Sequence, residues 1–276
     1  PIRISVGLFI FSWTFGLAIG PIISGLIYEL NPNIGFIIVI LMSILMFILF
    51  YMSRHLHLKN NKHKWEEAFT RAPRYKVYIG WLILFVGASV LHTLRFMFID
   101  YGIKEIGLSK ELASFLSGSL AGFMAIGSLI SAFYIKFLER KRIFTIIGLL
   151  TPIALSIILI TNNSYLLLMS FLFLGLVSGF GYFFGLYYAL ADQENSTSNV
   201  AVNEALTGIA ALIMPFIFGY IASNLSYFMA FLFMMIISLI CYTIAIYIMW
   251  QKKRTAMLKE KFNNLVKRID DNYRNK

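Results

Sequence analysis

Residues 165–190 read YLLLMSFLFLGLVSGFGYFFGLYYAL, a run of apolar and small residues that contains no charge. A helix that crosses a bilayer needs about 20 mainly apolar residues. This run therefore predicts a transmembrane helix, and seven similar runs lie elsewhere in the chain. The eight predicted spans cover residues 4–28, 34–53, 77–99, 112–135, 143–160, 165–190, 200–222 and 227–250.

The composition agrees with a chain whose surface is covered by lipid. Hydrophobic residues make up 59% of the sequence and charged residues 13%, whereas soluble domains contain about 45–50% apolar and about 25% charged residues. We therefore predict an all-α membrane protein. The lone cysteine, Cys241, lies inside an apolar run, where it acts as a small hydrophobic residue and can form no intrachain disulfide.

The positions of the charges predict the orientation. The net charge is +11, and 21 of the 24 cations fall at Arg3, in residues 54–76 and 136–142, or in the tail 251–276. Cations concentrate in the cytoplasmic loops of membrane proteins. Eight spans place both ends on that side, which predicts a multi-pass protein of the plasma membrane with a cytoplasmic C-terminus. The same clustering between apolar runs argues against a nucleic-acid partner.

The first apolar run carries a spaced pattern of small residues around a proline. At helical spacing these residues leave a smooth face, and the proline removes one backbone donor and bends the helix. Such a face suits packing against a helix that slides or rocks. The pattern consists of Gly7, Gly16, Gly20, Pro21, Ser24 and Gly25.

This pattern resembles the antiporter motif in the fifth helix of the major facilitator superfamily, with Ser24 replacing the first glycine of the final pair. The seventh run holds a counterpart, Ala210-x4-Pro215-x3-Gly219, whose proline lies 194 residues after Pro21. Transporters of that superfamily contain two similar six-helix halves. The resemblance therefore implies that the eight runs are helices five to twelve of a partial fold that lacks the first four helices.

The resemblance also implies a division of the chain. Residues 1–53 would hold the last two helices of the N-terminal bundle, 54–76 a cytoplasmic loop between the bundles, 77–250 the C-terminal six-helix bundle and 251–276 a basic cytoplasmic tail. The sequence starts at Pro1, and we expect the N-terminal helices that are missing to be required for function.

Two basic segments have more specific interpretations. The stretch Ser131-x3-Ile135-Lys136-x3-Arg140-Lys141 resembles a loop motif of the same superfamily, with Ile135 in place of the acid. An ordinary cytoplasmic loop explains its cations equally well. The tail has apolar residues at helical spacing between lysines and arginines, which favours an amphipathic helix on anionic lipid. A solvated extension of the last helix is the alternative.

The third run contains ionisable residues at membrane depth, where they are costly and usually functional. His92 and Arg95 are three residues apart, so they share a helix face. His92 could carry a coupling proton, and Arg95 could bind an anionic substrate or pair with Asp100 near the outer end. The structural alternative is that Arg95 extends to the interface and His92 bonds to a neighbour.

Three residues of later runs complete the candidate pathway. Tyr182 and Phe183 lie in mid-helix and could stack on an apolar or cationic ligand. Glu204 either faces the cavity or caps the start of its helix. Tyr187 and Tyr188 favour an interfacial aromatic belt instead.

Together these patterns predict a secondary active transporter with alternating access, and the glycine-proline motif favours proton-coupled export of drugs or other small organic molecules. Uptake of a sugar or organic acid and a non-transporting membrane scaffold are the alternatives. An enzyme is not expected, because the sequence shows no P-loop, no zinc motif and no paired carboxylates in the apolar runs. No cofactor is predicted, and the expected partners are the bilayer and a small solute with a proton.

Overall fold

The part of the chain that the structure describes contains eight α-helices. The computed structural model describes residues 2–30, 32–53, 72–192 and 194–274. Only the backbone is described for residues 2, 21–30, 32, 33, 35, 36, 39, 46, 49, 50, 52, 53, 141 and 252–274. The helices are α1 Ile2–Leu30, α2 Pro32–Ser53, α3 Arg74–Tyr101, α4 Lys110–Leu138, α5 Lys141–Ile160, α6 Ser164–Ala191, α7 Ser196–Asn224 and α8 Tyr227–Arg274.

The prediction of an all-helical membrane protein with eight helices is confirmed. Each predicted span lies inside one helix, and the described residues contain no strand. Seven of the helices are long and apolar enough in their described parts to cross a membrane. The remaining helix, α2, has 22 residues and no charge.

Polar turns begin and end several helices at one end of the bundle. The Ser109 hydroxyl accepts a hydrogen bond from the Leu112 amide at the start of α4, and the Asn163 side chain accepts from Tyr165 and Leu166 at the start of α6. Between α3 and α4, a π-helical turn ends at Gly107, whose φ of 78° is left-handed. Glycine adopts this conformation without the steric cost of a Cβ atom.

Helix α6 lies at the centre of the bundle because glycine residues on two of its faces let α4 and α3 approach closely. Gly175 and Gly179 face α4, and a Cβ atom at Gly179 would lie 2.3 Å from the Met124 carbonyl oxygen. Gly181 and Gly185 face α3, and a Cβ atom at Gly181 would lie 2.6 Å from the Ile83 carbonyl oxygen. In lipid, where no hydrophobic force drives helices together, such small residues permit close backbone contact. Their predicted packing role is confirmed.

Helix α1 packs against this centre, chiefly on α4 and also on α6. Val6 and Ile10 are buried in the same core as α3, α4 and α6. Among the described residues α2 contacts α1 and no other helix. The polar and aromatic residues of α1 are thereby held beside the bundle formed by α3 to α8.

Helix α8 continues beyond its apolar part. Tyr227–Gln251 is long enough to cross a membrane, and the helix extends to Arg274 for a total of 48 residues. At 1.5 Å per residue its length is about 72 Å. The tail is therefore helical, while its predicted position on anionic lipid remains a prediction. Residues 54–71 of the predicted cytoplasmic loop lie outside the described residues.

The glycine contacts predict an asymmetric response to added methyl groups. Gly179→Ala should destabilise the protein by about 1–3 kcal/mol, because α4 and α6 must separate to admit the Cβ atom. Thermal unfolding in detergent measures this loss. Gly208→Ala is the matched control, since a Cβ atom at Gly208 meets nothing within 4 Å. Equal melting temperatures for the two variants would contradict the packing described here.

Candidate functional site

His92 and Tyr182 are joined by a hydrogen bond in the apolar interior. His92 Nε2 lies 3.2 Å from the Tyr182 hydroxyl. The two residues are not at the same height, because Gly181, next to Tyr182, lies opposite Ile83, which is nine residues before His92. That offset is about 14 Å along α3. The side chains bridge it because the two helices are antiparallel and each Cβ leans toward the N-terminus of its own helix. Tyr182 is 6% exposed and His92 is half-buried.

Trp13 of α1 reaches the same point. Its ring lies 5.4 Å from that of Tyr182, centroid to centroid, at an interplanar angle of 60°. Such tilted pairs are favourable arrangements of aromatic quadrupoles. Sequence reasoning missed Trp13, because an aromatic residue in an apolar run looks the same whether it faces lipid or protein.

Arg95 lies beside His92, as their spacing predicts. The two side chains are close enough for their charges to interact. Arg95 is half-buried, and its backbone carbonyl accepts a hydrogen bond of 3.1 Å from the Ser117 hydroxyl of α4. The structure therefore places a permanent cation next to the histidine.

Asp100 does not pair with Arg95, so that part of the prediction is wrong. Its carboxylate forms an ion pair with Lys104 at 2.9 Å and accepts a hydrogen bond of 2.6 Å from the Tyr227 hydroxyl. Residues four apart on a helix are neighbours, whereas residues five apart are rotated by about 140°. Asp100 is exposed and belongs to the helix ends rather than to the interior.

Phe183 lies in the packed core instead of lining a pathway. Its side chain is fully buried and stacks on Tyr187, with centroids 5.5 Å apart and an interplanar angle of 9°. Successive residues on a helix are rotated by about 100°. Tyr182 and Phe183 therefore face different neighbours, and only Tyr182 reaches His92.

Glu204 does not cap its helix, because α7 begins eight residues earlier at Ser196. Its carboxylate therefore lies about 12 Å from the helix start. The side chain is exposed, accepts one long hydrogen bond of 3.5 Å from Asn203, and is close enough for its charge to act on Tyr182. Asn203 itself is buried, and its Oδ1 has no hydrogen-bond partner among the described residues.

We call the group formed by Trp13, His92, Arg95, Tyr182 and Glu204 the interior cluster. It draws on α1, α3, α6 and α7, so no single helix contains it. Four of its members were predicted from the sequence, and the structure groups them around Tyr182.

The glycine motif of α1 divides between two faces. Gly7 meets α4, where its carbonyl accepts a hydrogen bond of 3.4 Å from Ser128 and an added Cβ would lie 2.5 Å from that of Ala132. Gly16 lies nine residues on, which is half a turn away on the helix. A Cβ atom at Gly16 or Gly20 would meet nothing within 4 Å. For Pro21, Ser24 and Gly25 the structure describes only the helical backbone, so their contacts lie outside the description.

The repeat counterpart on α7 is packed differently. Ala210 and Pro215 are buried, and a Cβ atom at Gly219 would lie 3.6 Å from the sulfur of Met97 on α3. The repeat counterpart on α7 thus contacts α3, whereas Gly16 and Gly20 on α1 face open space within the described structure.

A second polar group lies at the end of the bundle where α3 begins and α4 ends, which we call the basic end. Lys76 Nζ donates to Glu139 Oε1 at 2.7 Å, and the Tyr188 hydroxyl donates to the same oxygen. The Lys76 ammonium also lies 5.4 Å from the centre of the Tyr188 ring. Tyr188 is therefore buried against charged groups, not exposed in an aromatic belt as predicted.

The ion pair borders a cavity of about 220 Å³ whose walls include Ile79, Phe144 and Met249. Glu139 was not singled out from the sequence, because the loop motif directs attention to position 135. Ile135 is buried, and the acid four residues later, on the same helix face, forms the ion pair.

Among the described residues, no three His, Cys, Asp or Glu side chains are placed to hold a metal ion. Cys241 is half-buried and free. His55 and His57, which the sequence places two residues apart in the predicted loop, lie outside the described residues.

Comparison with known protein families gives one match. The sequence model described as Major Facilitator Superfamily matches residues 4–200, which is more than half of the chain. The match includes α1 with its glycine motif and most of the interior cluster. No curated protein matches the chain.

The exposure of the cluster predicts which positions water reaches. In a Cys241→Ser background, Glu204→Cys should react with a membrane-impermeant thiol reagent, because its side chain is exposed in a helix interior where a lipid-facing carboxylate is costly. Phe183→Cys is the buried control and should stay unlabelled. Labelling yields from each side of the membrane report the result. If Glu204→Cys does not react with the reagent, the side chain at position 204 faces lipid instead of water.

The ion pair at the basic end predicts a stability coupling. Lys76→Met should cost about 1.5–3 kcal/mol, because it removes a hydrogen bond between charged groups and leaves the partly buried Glu139 carboxylate without its cation. Adding Glu139→Gln should recover part of that loss. Thermal unfolding of the two single variants and the double variant gives the coupling energy. Additive effects would show that the contact contributes nothing.

Proposed function

The chain belongs to the Major Facilitator Superfamily, and on that premise we propose that it is a secondary active transporter that exports drugs or other small organic molecules in exchange for protons. Family membership and the apolar helices show a membrane transporter. The direction, the coupling ion and the class of solute are the proposed part.

The hydrogen bond between His92 and Tyr182 carries the proposal. It lies in the interior of helices that are apolar enough to cross a membrane. Ionisable residues at such depth are rare and mark proton or substrate pathways. Histidine is also the side chain whose unperturbed titration falls closest to neutral pH. A proton taken up at His92 is therefore the simplest coupling event that these residues offer.

Other members of the interior cluster supply the binding surface. Trp13 and Tyr182 present aromatic groups, which suit an apolar or cationic solute. Glu204 adds an exposed carboxylate near them. This combination supports an organic molecule with an apolar body as the solute.

Alternating access requires two units that move against each other. We propose that residues 1–53 belong to the N-terminal bundle and 77–250 form the C-terminal one, with 54–76 as the cytoplasmic loop between them. In that assignment α1 and α2 are the fifth and sixth helices of twelve, and the four that precede them complete the cavity. The close contact of Gly7 with Ala132 then lies between the two units.

The alternative is uptake of an organic acid, and one observation favours it. Arg95 is a half-buried cation on the face of His92, so an anionic group could bind there. A sugar transporter or a non-transporting scaffold remains compatible with the helices. In every case we propose residence in the plasma membrane, with the C-terminus in the cytoplasm and its basic tail on anionic lipid.

The deciding experiment uses the full-length protein in proteoliposomes with a pH-sensitive dye inside. Export in exchange for protons predicts that an organic cation added to one side releases protons to that side as it is taken up, and that collapse of the pH gradient stops net transport. Organic acids and sugars serve as the competing solutes. Transport of one of these down its own gradient without proton movement would replace the proposal, and transport of none would favour a scaffold.

His92→Gln should abolish coupling while leaving binding intact. We expect gradient-driven transport to fall by about tenfold or more, since the amide cannot take up a proton at this depth. Exchange of labelled for unlabelled solute without a gradient should persist. His63→Gln, between the predicted spans, is the matched control and should behave as the parent protein. Full gradient-driven transport by His92→Gln would show that another residue carries the coupling proton.

A further inference from the structure

Tyr182 on α6 is the residue at which the other three helices of the interior cluster meet. Its hydroxyl bonds to His92 on α3, its ring contacts Trp13 on α1, and the charge of Glu204 on α7 acts on it. Resting on the proposed proton coupling, we propose that Tyr182 is a positioning residue that transmits the protonation of His92 to the contact between α1 and the bundle.

Protonation of His92 reverses the hydrogen bond when the neutral ring carries its proton on Nδ1. A neutral imidazole with its proton on Nδ1 accepts the Tyr182 hydroxyl hydrogen at Nε2. When a proton binds to Nε2, both ring nitrogens become donors. Tyr182 must then accept from His92, and its own hydrogen, still bonded to its oxygen, must turn toward a different acceptor. No covalent bond changes except the N–H bond that forms on His92.

Burial makes this reversal consequential. Tyr182 is 6% exposed, so water cannot readily satisfy its redirected hydroxyl hydrogen. A buried donor without an acceptor is costly. Glu204 supplies a negative charge that acts on the residue, and a turn of the hydroxyl or a shift of the ring toward it changes the face that Tyr182 presents to Trp13.

The charges around His92 set the balance between the two states. Arg95 on the same helix opposes a second positive charge, while Glu204 on α7 favours the state in which Tyr182 donates toward it. The α1 and α4 neighbours named here, Trp13 and Ser117, are uncharged. A solute that pairs with Glu204 therefore removes the negative charge that favours the protonated state.

The contact between Trp13 and Tyr182 connects two parts of the proposed mechanism. Tyr182 and His92 belong to helices held together by glycine contacts, whereas Trp13 is on α1, which we assigned to the other bundle. A change in the hydrogen bond within one bundle thus alters a ring contact between bundles. Trp13 receives the signal, and Tyr182 transmits it.

The test uses Trp13 as the sole tryptophan of the full-length protein, after Trp65, Trp81, Trp250 and every tryptophan in the preceding helices are changed to phenylalanine. We expect its emission to follow a pH transition that His92→Gln removes. In Tyr182→Phe, which loses only the hydroxyl, the amplitude of that transition should fall by about fivefold and gradient-driven transport by about tenfold. Tyr165→Phe, on the same helix and 81% exposed, should change nothing.

The outcomes separate this inference from the proposed function. An emission that ignores pH in the parent, or an unchanged transition in Tyr182→Phe, overturns the role of Tyr182 whether or not protons are coupled. A parent without proton-driven transport overturns the proposed function, yet a Trp13 transition that needs both His92 and Tyr182 would still support the relay. Trp13→Phe keeps a ring and should retain more coupling than Trp13→Ala, and equal coupling by both contradicts a signal through the ring contact.

Discussion

Close backbone contact along two glycine faces of α6 is the constraint on which the bundle depends. Lipid offers no hydrophobic drive for helix association, so dispersion and short-range polar contacts must supply it. Gly175 and Gly179 bring α4 against α6, and Gly181 and Gly185 bring α3 against the other face. Both partners are thereby fixed in height and rotation. A methyl group at Gly179 or Gly181 would move a whole helix, since the atoms opposite those two glycines are backbone atoms.

The interior cluster is a consequence of that fixed geometry. Antiparallel α3 and α6 are held at a register in which His92 and Tyr182 lean toward each other across about 14 Å of helix. If the register moved by one helical turn, the two side chains would lie too far apart to form this hydrogen bond. Their hydrogen bond also satisfies polar groups that would be costly alone in the apolar interior. The glycines thus provide both the stability of the bundle and the alignment of its polar residues.

The sequence predicts the parts of this arrangement that follow from periodicity. Apolar runs separated by polar turns specify eight helices, and a spacing of three places His92 beside Arg95. Contacts between helices depend on rotation and height, which periodicity leaves open. Asp100 pairs with Lys104 because a neighbour at i+4 is closer than Arg95, Phe183 turns into the core, and Trp13 enters the cluster only because α1 packs on α4. Glu139 went unrecognised because its partners come from α3 and α6.

The distribution of polar contacts distinguishes what can move from what cannot. At the basic end, Lys76, Glu139 and Tyr188 tie the start of α3 to the ends of α4 and α6, so these three helices are joined by charge at one end and by glycine contacts along their length. Among the described residues, no ion pair joins α1 to these helices. Its contacts are a small-residue crossing at Gly7 with one long hydrogen bond from Ser128, apolar packing and the ring of Trp13. Apolar surfaces can slide with little change in energy, whereas a buried ion pair cannot separate without leaving a charge unpaired. Relative movement of α1 is therefore the less costly motion, and the aromatic contact at Tyr182 is the place where such a motion meets the polar interior.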